Sequence, residues 1–265
     1  MEGDEMARIL HITDVHAGWT ADEQQEQAWW DNICKAIVSV VTEQPVDIVV
    51  ATGDFCKRGS QWEFARAEMH IRQLMERLGM GMDRLFMCRG NHDTDTADAC
   101  STFTMYEDFE KRLYGAEVPK QGTCVKCEDG ECQMFWLNTC SETSYVDFDD
   151  AVIIKEEIDT ILDMADEDKT VVVLMHHQPE ILPDQTQLER LGQCGKVACV
   201  FSGHLHCYTR RYEWKGMTVV NGMPLMPHLG FIPVGFQIME VSKDGGVNGW
   251  KYVIGENGSY QTYKG

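Results

Sequence analysis

Along this chain, short unbroken apolar runs alternate with stretches in which apolar residues recur every three or four positions. The unbroken runs are residues 8–13 (RILHIT), 46–52 (VDIVVAT), 84–88 (RLFMC), 170–175 (TVVVLM) and 197–202 (VACVFS). Runs of this length, rich in β-branched residues, read as strands covered on both faces. Residues 21–44 read as a helix: Trp29, Ile33, Ile37 and Val41 form one stripe, and Thr20 and Glu23 have capping-box spacing. Residues 60–79 read as a second helix, opened by Ser60 and Glu63 and stopped by Gly79. Residues 123–127 and 132–139 flank a Glu128–Gly130 turn and predict a hairpin. Residues 153–168 predict a helix with Ile154, Ile158, Ile161 and Leu162 inward, and residues 217–222, 235–241 and 249–254 predict a closing β meander. A strand–helix–strand opening and a β-rich end imply one α/β domain over residues 1–265, with two sheets packed together.

The polar residues gather where the apolar runs stop. The first run is followed by Asp14 and His16, the second by Gly53 and Asp54, and the third by Gly90, Asn91, His92 and Asp93. The fourth leads into His176 and His177, the fifth into Gly203, His204, Leu205 and His206. Ligands of open α/β sheets collect outside the carboxyl ends of strands. Five loops can therefore meet at one place, each carrying a side chain able to bind metal. Aspartates, an asparagine and histidines form an oxygen–nitrogen donor set suited to Mn, Fe, Zn, Co or Ni. The donors outnumber the needs of one four-coordinate ion, which predicts two ions about 3.5–4 Å apart sharing an aspartate.

Composition narrows the setting. The 265 residues are 43% hydrophobic, enough for a substantial core, and the net charge of -20 with no basic patch beyond Arg210 and Arg211 argues against nucleic acid or anionic membranes as partners. No apolar run approaches the length of a membrane span, and the acidic N-terminus lacks a signal-peptide pattern, so the expected location is cytoplasmic. The 11 cysteines read as reduced thiols. Cys124, Cys127 and Cys132 resemble part of a zinc site, but a Cys-x-x-Cys pair in a regular strand faces opposite sides, which favours plain hairpin residues.

Taken in order, Asp-x-His, Gly-Asp, Gly-Asn-His-Asp, His and Gly-His-x-His resemble the signature of the calcineurin-like metallophosphoesterase superfamily. With GNHD and GHLH together, the chain is most similar to the cyclic-nucleotide and glycerophosphodiester phosphodiesterase branch. The resemblance implies a four-layer sandwich, two mixed β-sheets face to face flanked by helices. It implies that Asp14, His16 and His206 hold one ion, that Asp54 bridges, and that Asn91, His176 and His204 hold the other, with Mn, Fe or Zn as the ions. His176 is preferred to His177 because it directly follows the strand; His177 becomes a possible substrate contact. His92 is similar to the family's leaving-group acid, with Asp93 orienting it, and Arg58, in GDFCKRG, matches a phosphate-contacting arginine. Arg89 is either a substrate contact or a surface residue.

The implied activity is hydrolysis of a small phosphate ester by a metal-activated hydroxide, with a phosphodiester as substrate. The alternatives are a phosphomonoesterase of the same fold and a non-catalytic scaffold. Residues 141–150 and 221–233 are candidates for a lid, with Tyr145, Phe148, Met223, Met226, His228 and Phe231 lining a pocket.

Overall fold

The structure, a computed structural model, describes residues 6–94, 103–140, 151–183, 185–206, 210–227, 233–255 and 257–264. The apolar runs form β1 (Met6–Ile12), β2 (Ile48–Thr52), β3 (Leu85–Cys88), β6 (Thr170–Leu174) and β7 (Val197–Ser202). Every residue of β2, β3, β6 and β7 is buried, as expected of strands covered on both faces.

The helices α1 (Glu23–Glu43), α2 (Gln61–Leu78) and α4 (Lys155–Met164) lie where the three-to-four spacing placed them. In α2, the Glu63 carboxylate accepts from the Ser60 N–H at 3.0 Å, and Gly79 ends the helix in a left-handed conformation at φ +67. The start of α1 differs from expectation. Asp22, not Thr20, caps it, accepting from the N–H groups of Gln24 and Gln25. Its buried face is Trp30, Ile33, Ile37 and Val40, with Trp29 and Val41 at the margin. Ile154 precedes α4 rather than lying in it. Two further helices, α3 (Thr104–Tyr114) and α5 (Gln185–Cys194), had no counterpart in the pattern, nor had β8 (Arg210–Trp214) and β12 (Tyr260–Lys264).

With β4 (Thr123–Cys127), β5 (Gly130–Trp136), β9 (Met217–Asn221), β10 (Gly235–Ser242) and β11 (Val247–Ile254), the strands make two six-stranded mixed sheets. One has the order β12-β11-β10-β1-β2-β3, the other β4-β5-β6-β7-β9-β8. The expected meander is thus corrected. β9 pairs parallel with β7 in the second sheet, and the chain then crosses to the first, where β10 runs antiparallel to β1. The meander is β10-β11-β12.

Between the sheets, Ile9, Ile48, Val50 and Phe86 of the first meet Met134, Val172, Leu174, Phe201 and Val220 of the second. On the outer face of the first sheet, Leu10, Val49 and Met87 pack under α1, α2 and α3 through Trp30, Ile71 and Phe109. Val171, Val173 and Val219 of the second pack under α4 and α5 through Ile158, Ile161, Leu188 and Leu191. The result is the expected four-layer sandwich, and it brings the carboxyl ends of β1, β2, β3, β6 and β7 to one end of the molecule. Among the described residues no helix is long and apolar enough to cross a membrane.

One consequence is measurable. Phe201→Ala, which empties the space between the sheets, should destabilise the protein by about 3–5 kcal/mol. Tyr263→Ala, on an exposed position of β12, should change stability by less than about 0.5 kcal/mol in the same urea titration. Equal costs for the two would contradict this placement of the core.

Candidate metal centre

The loops after β1 and β2 are held together by their own backbones. Asp14 N–H donates to Gly53 O at 3.1 Å, His16 N–H to Asp54 O at 2.9 Å and Ala17 N–H to Phe55 O at 2.8 Å. This extends the parallel pairing past the strand ends, but with an altered conformation. Asp14, His16 and Asp54 have φ of +52, +44 and +54, and His204 and His206 have +74 and +45. Non-glycine residues avoid this left-handed region, and such strain gathers at functional sites. Among the described non-glycine residues only Lys215 shares it.

The motif glycines are required by close approach. A Cβ on Gly90 would fall 2.1 Å from Asp54 Oδ1, and one on Gly203 would fall 2.0 Å from Thr13 Oγ1.

These loops bring all seven expected donors together. On one side, His206 Nε2 lies 3.0 Å from Asp14 Oδ1 and 2.8 Å from His16 Nε2. On the other, Asn91 Oδ1 lies 3.0 Å from both His176 Nε2 and His204 Nδ1, which are 3.3 Å apart. Asp54 Oδ2 stands between, 3.7 Å from His16 Nε2 and 3.3 Å from His176 Nε2. Donor atoms each about 2.1 Å from one ion stand about 3.0–3.4 Å apart at octahedral or tetrahedral angles. Most of the observed spacings, 3.0–3.3 Å, fall in that range, with 2.8 Å and 3.7 Å to either side of it, so the residues present fit a cation on each side. Two groups within the described residues can hold an ion: Asp14, His16, Asp54 and His206, and His176 with His177 and His204. The hairpin cysteines belong to neither. Cys124 is exposed and accepts from Lys169 Nζ at 3.1 Å, while Cys132 is buried and donates to Thr170 O.

Backbone carbonyls set the rings. His16 Nδ1 lies 3.3 Å from Cys56 O, and His176 Nδ1 lies 2.8 Å from Thr52 O. A proton on Nδ1 donated to a carbonyl leaves the Nε2 lone pair for the cluster. The Thr13 hydroxyl donates to Asp14 Oδ2 at 2.7 Å, an arrangement that the strand-end motifs gave no hint of.

His92 is half-buried, with its ring edge-on to His16 at 5.0 Å. Its Nδ1 faces Lys57 O at 2.7 Å, and its backbone N–H donates to Asp54 Oδ1 at 2.9 Å. The expected Asp93–His92 hydrogen bond is therefore replaced. Asp93 is fully buried and accepts from Gly90 N–H at 2.8 Å and Cys56 N–H at 3.1 Å, bracing two loops instead of orienting the imidazole. A backbone carbonyl does that work, and a carbonyl leaves no mark in sequence.

His177 is 2% exposed, with Nδ1 3.0 Å from Thr139 Oγ1 and its ring 4.4 Å from that of His204. Arg58 is exposed, its backbone N–H bonded to Glu63. Arg89 is half-buried over the Phe103 ring at 3.8 Å and donates to Asn138 Oδ1 at 2.7 Å. Met223 and Met226 are buried rather than open to a ligand. Tyr145, Phe148, His228 and Phe231 lie outside the described residues, as do residues 141–150.

Burial alone would raise both aspartates. The neighbouring imidazoles outweigh it, His206 for Asp14 and His176 with His92 for Asp54, and both carboxyls fall below the usual carboxylate range. Burial pushes His16 down to about 3 and His204 to about 4, so both are neutral. It opposes the charge on His176 as well, but Asp54 outweighs it and lifts His176 to about 9; Asp14 raises His206 in the same way. Burial and then the Asp54 charge push Asp93 up to about 8.

The sequence profile of calcineurin-like phosphoesterases matches residues 7–208. The chain belongs to the calcineurin-like phosphoesterase family. This family is metal-dependent, in keeping with the two donor groups. No curated protein matches the chain in sequence. The fold is similar to that of a dimetal phosphatase from Danio rerio (12% identity, 97% of this chain and 98% of that one, TM-score 0.62). It is also similar to TT1561 of Thermus thermophilus (10% identity, 98% and 99%, TM-score 0.56) and to GAP50 of Plasmodium, described as an anchor in the inner membrane complex (14% identity, 98% and 88%, TM-score 0.56). At these identities the likeness is one of fold.

The charge pattern of the site has a direct consequence. In the metal-free protein His176 is protonated below about pH 9, so a cation entering there must displace that proton. Metal affinity should therefore rise with pH up to that point, and loading at pH 7 should release protons. Calorimetric titration in two buffers of different ionisation enthalpy reads the release; a heat that is the same in both would contradict it. Gly90→Ala should weaken metal binding and cost about 1–3 kcal/mol of stability through its clash with Asp54.

Proposed function

We propose that the chain is a binuclear metal-dependent hydrolase of phosphate esters that prefers phosphodiesters. The observation that carries this reading is the position of Asp54 Oδ2, within reach of donors on both sides. Asp14, His16, Asp54 and His206 would hold one ion, and Asp54, Asn91, His176 and His204 the other. When bound, such a pair supplies Lewis acidity, polarising a phosphoryl oxygen and making water acidic enough to attack near neutral pH.

The chain's own groups supply the rest. Lys57 O fixes Nδ1 of His92, so the proton for a departing alkoxide would come from Nε2. The backbone bond from His92 to Asp54 keeps that ring in register with the donors. The preference for diesters rests on the GNHD and GHLH resemblance. A non-catalytic scaffold is the second reading, favoured by the neighbour described as an anchor; the complete donor set and the presence of His92 weigh against it.

Asp54→Asn should remove both ions and abolish hydrolysis, a larger loss than the about 10–100-fold typical of outer-shell changes. His92→Ala should keep the metal content and lower kcat by about 10²–10⁴-fold. Elemental analysis of the purified protein, with rates on bis(p-nitrophenyl) phosphate and p-nitrophenyl phosphate in added Mn, checks both. Faster cleavage of the monoester would move the assignment to a phosphomonoesterase. No cleavage of either ester with two equivalents of metal bound would favour the scaffold.

A further inference from the structure

Gln178 follows His176 and His177 and is 2% exposed. A long amide at that depth needs partners, and its Nε2 has two. It donates to Gly203 O at 2.5 Å and to Asn221 Oδ1. Gly203 O can only accept, which fixes the amide orientation. Oε1 is left buried with no hydrogen-bond partner among the described residues. An orphan acceptor is a cost, so glutamine is not a passive filler here.

The contact acts on a particular peptide. Gly203 C=O and His204 N–H belong to one planar unit. Gln178 Nε2 holds the oxygen end together with the Leu205 N–H, which donates to it at 3.0 Å, and Asp14 Oδ2 accepts from the nitrogen end at 3.2 Å. His204, whose φ is +74, hangs directly from this unit. Two further bonds tie the neighbouring strand ends into the same network: Gly203 N–H donates to His176 O at 3.0 Å, and Gly222 N–H donates to Ser202 O at 2.8 Å.

We infer that Gln178 is a positioning residue that, through the Gly203–His204 peptide, sets His204 against His176 and thereby the affinity of the ion held by Asn91, His176 and His204. The inference rests on the two-ion reading above. Side-chain reach matters as well as the donor: Gln178→Met keeps the length and loses the N–H, while Gln178→Glu keeps the shape and sets an acceptor against the Gly203 carbonyl.

The test is calorimetric titration of the full metal-free chain with Mn and with Zn, without substrate, alongside thermal melting of the metal-free forms. Wild type should take two equivalents. Gln178→Met should melt within a few degrees of wild type yet bind one of the two ions about 10–100-fold more weakly, the other being less affected; Gln178→Glu, which buries a carboxyl against two acceptors, should melt lower and weaken the same ion at least as much. Wild-type affinities for both ions in Gln178→Met would overturn the inference and leave the two-ion reading intact. A wild type that takes a single equivalent would remove both. Should Gln178→Glu fail to fold, Gln178→Met decides alone; equal weakening of both ions in it, with a matching drop in melting temperature, would make Gln178 a general strut and refute the specific role.

Discussion

Asp14 and Asp54 are almost completely inaccessible, at 0% and 1% exposed, and both are ionised. Burying a carboxylate away from water is costly unless positive charge and hydrogen bonds meet it. Much of the site end can be understood as the answer to that cost. Backbone N–H groups of His92 and His204 and the hydroxyl of Thr13 reach the two carboxylates. Ring nitrogens of His206 and His176 stand 3.0 Å from Asp14 Oδ1 and 3.3 Å from Asp54 Oδ2, and these two rings are drawn toward the charged form by the same aspartates. Protons stand in the metal-free protein where cations fit.

The same constraint explains the strained backbone. To point inward just past the end of a strand, a side chain must leave the alternation of the sheet, and a left-handed residue turns it within one step. Asp14, His16, Asp54, His204 and His206 all do so. Each costs conformational energy that only a surrounding structure with no alternative can hold. Here that structure is the pairing of the post-β1 and post-β2 loops, the glycines that let Asp54 and Thr13 approach, and Asp93 bracing Gly90 to Cys56. The covered strands beneath give these loops a rigid base.

A net charge of -20 is compatible with a phosphate-ester substrate because charge acts locally at such a site. Two divalent ions would bring four positive charges against two aspartates, leaving the centre positive within an acidic surface. The family match establishes the fold and the kind of donor set; in such folds the choice of ligand rests with the loops around the centre.

The strands bearing the motifs, the helices between them and the donor set were legible in the sequence, because unbroken apolar runs, capping pairs such as Ser60 and Glu63, and donor chemistry are local properties. Helices α3 and α5 had no counterpart in that reading, although α4, no longer than either, did. The sheet to which β9 belongs was not legible either: a strand's partner is chosen by hydrogen bonds between residues far apart in the chain. The tertiary structure alone decided that Lys57 rather than Asp93 faces His92, that Thr52 and Cys56 orient His176 and His16, and that Gln178 reaches Gly203. Most of these partners are main-chain carbonyls, which every residue possesses, so no choice of amino acid records which one is used.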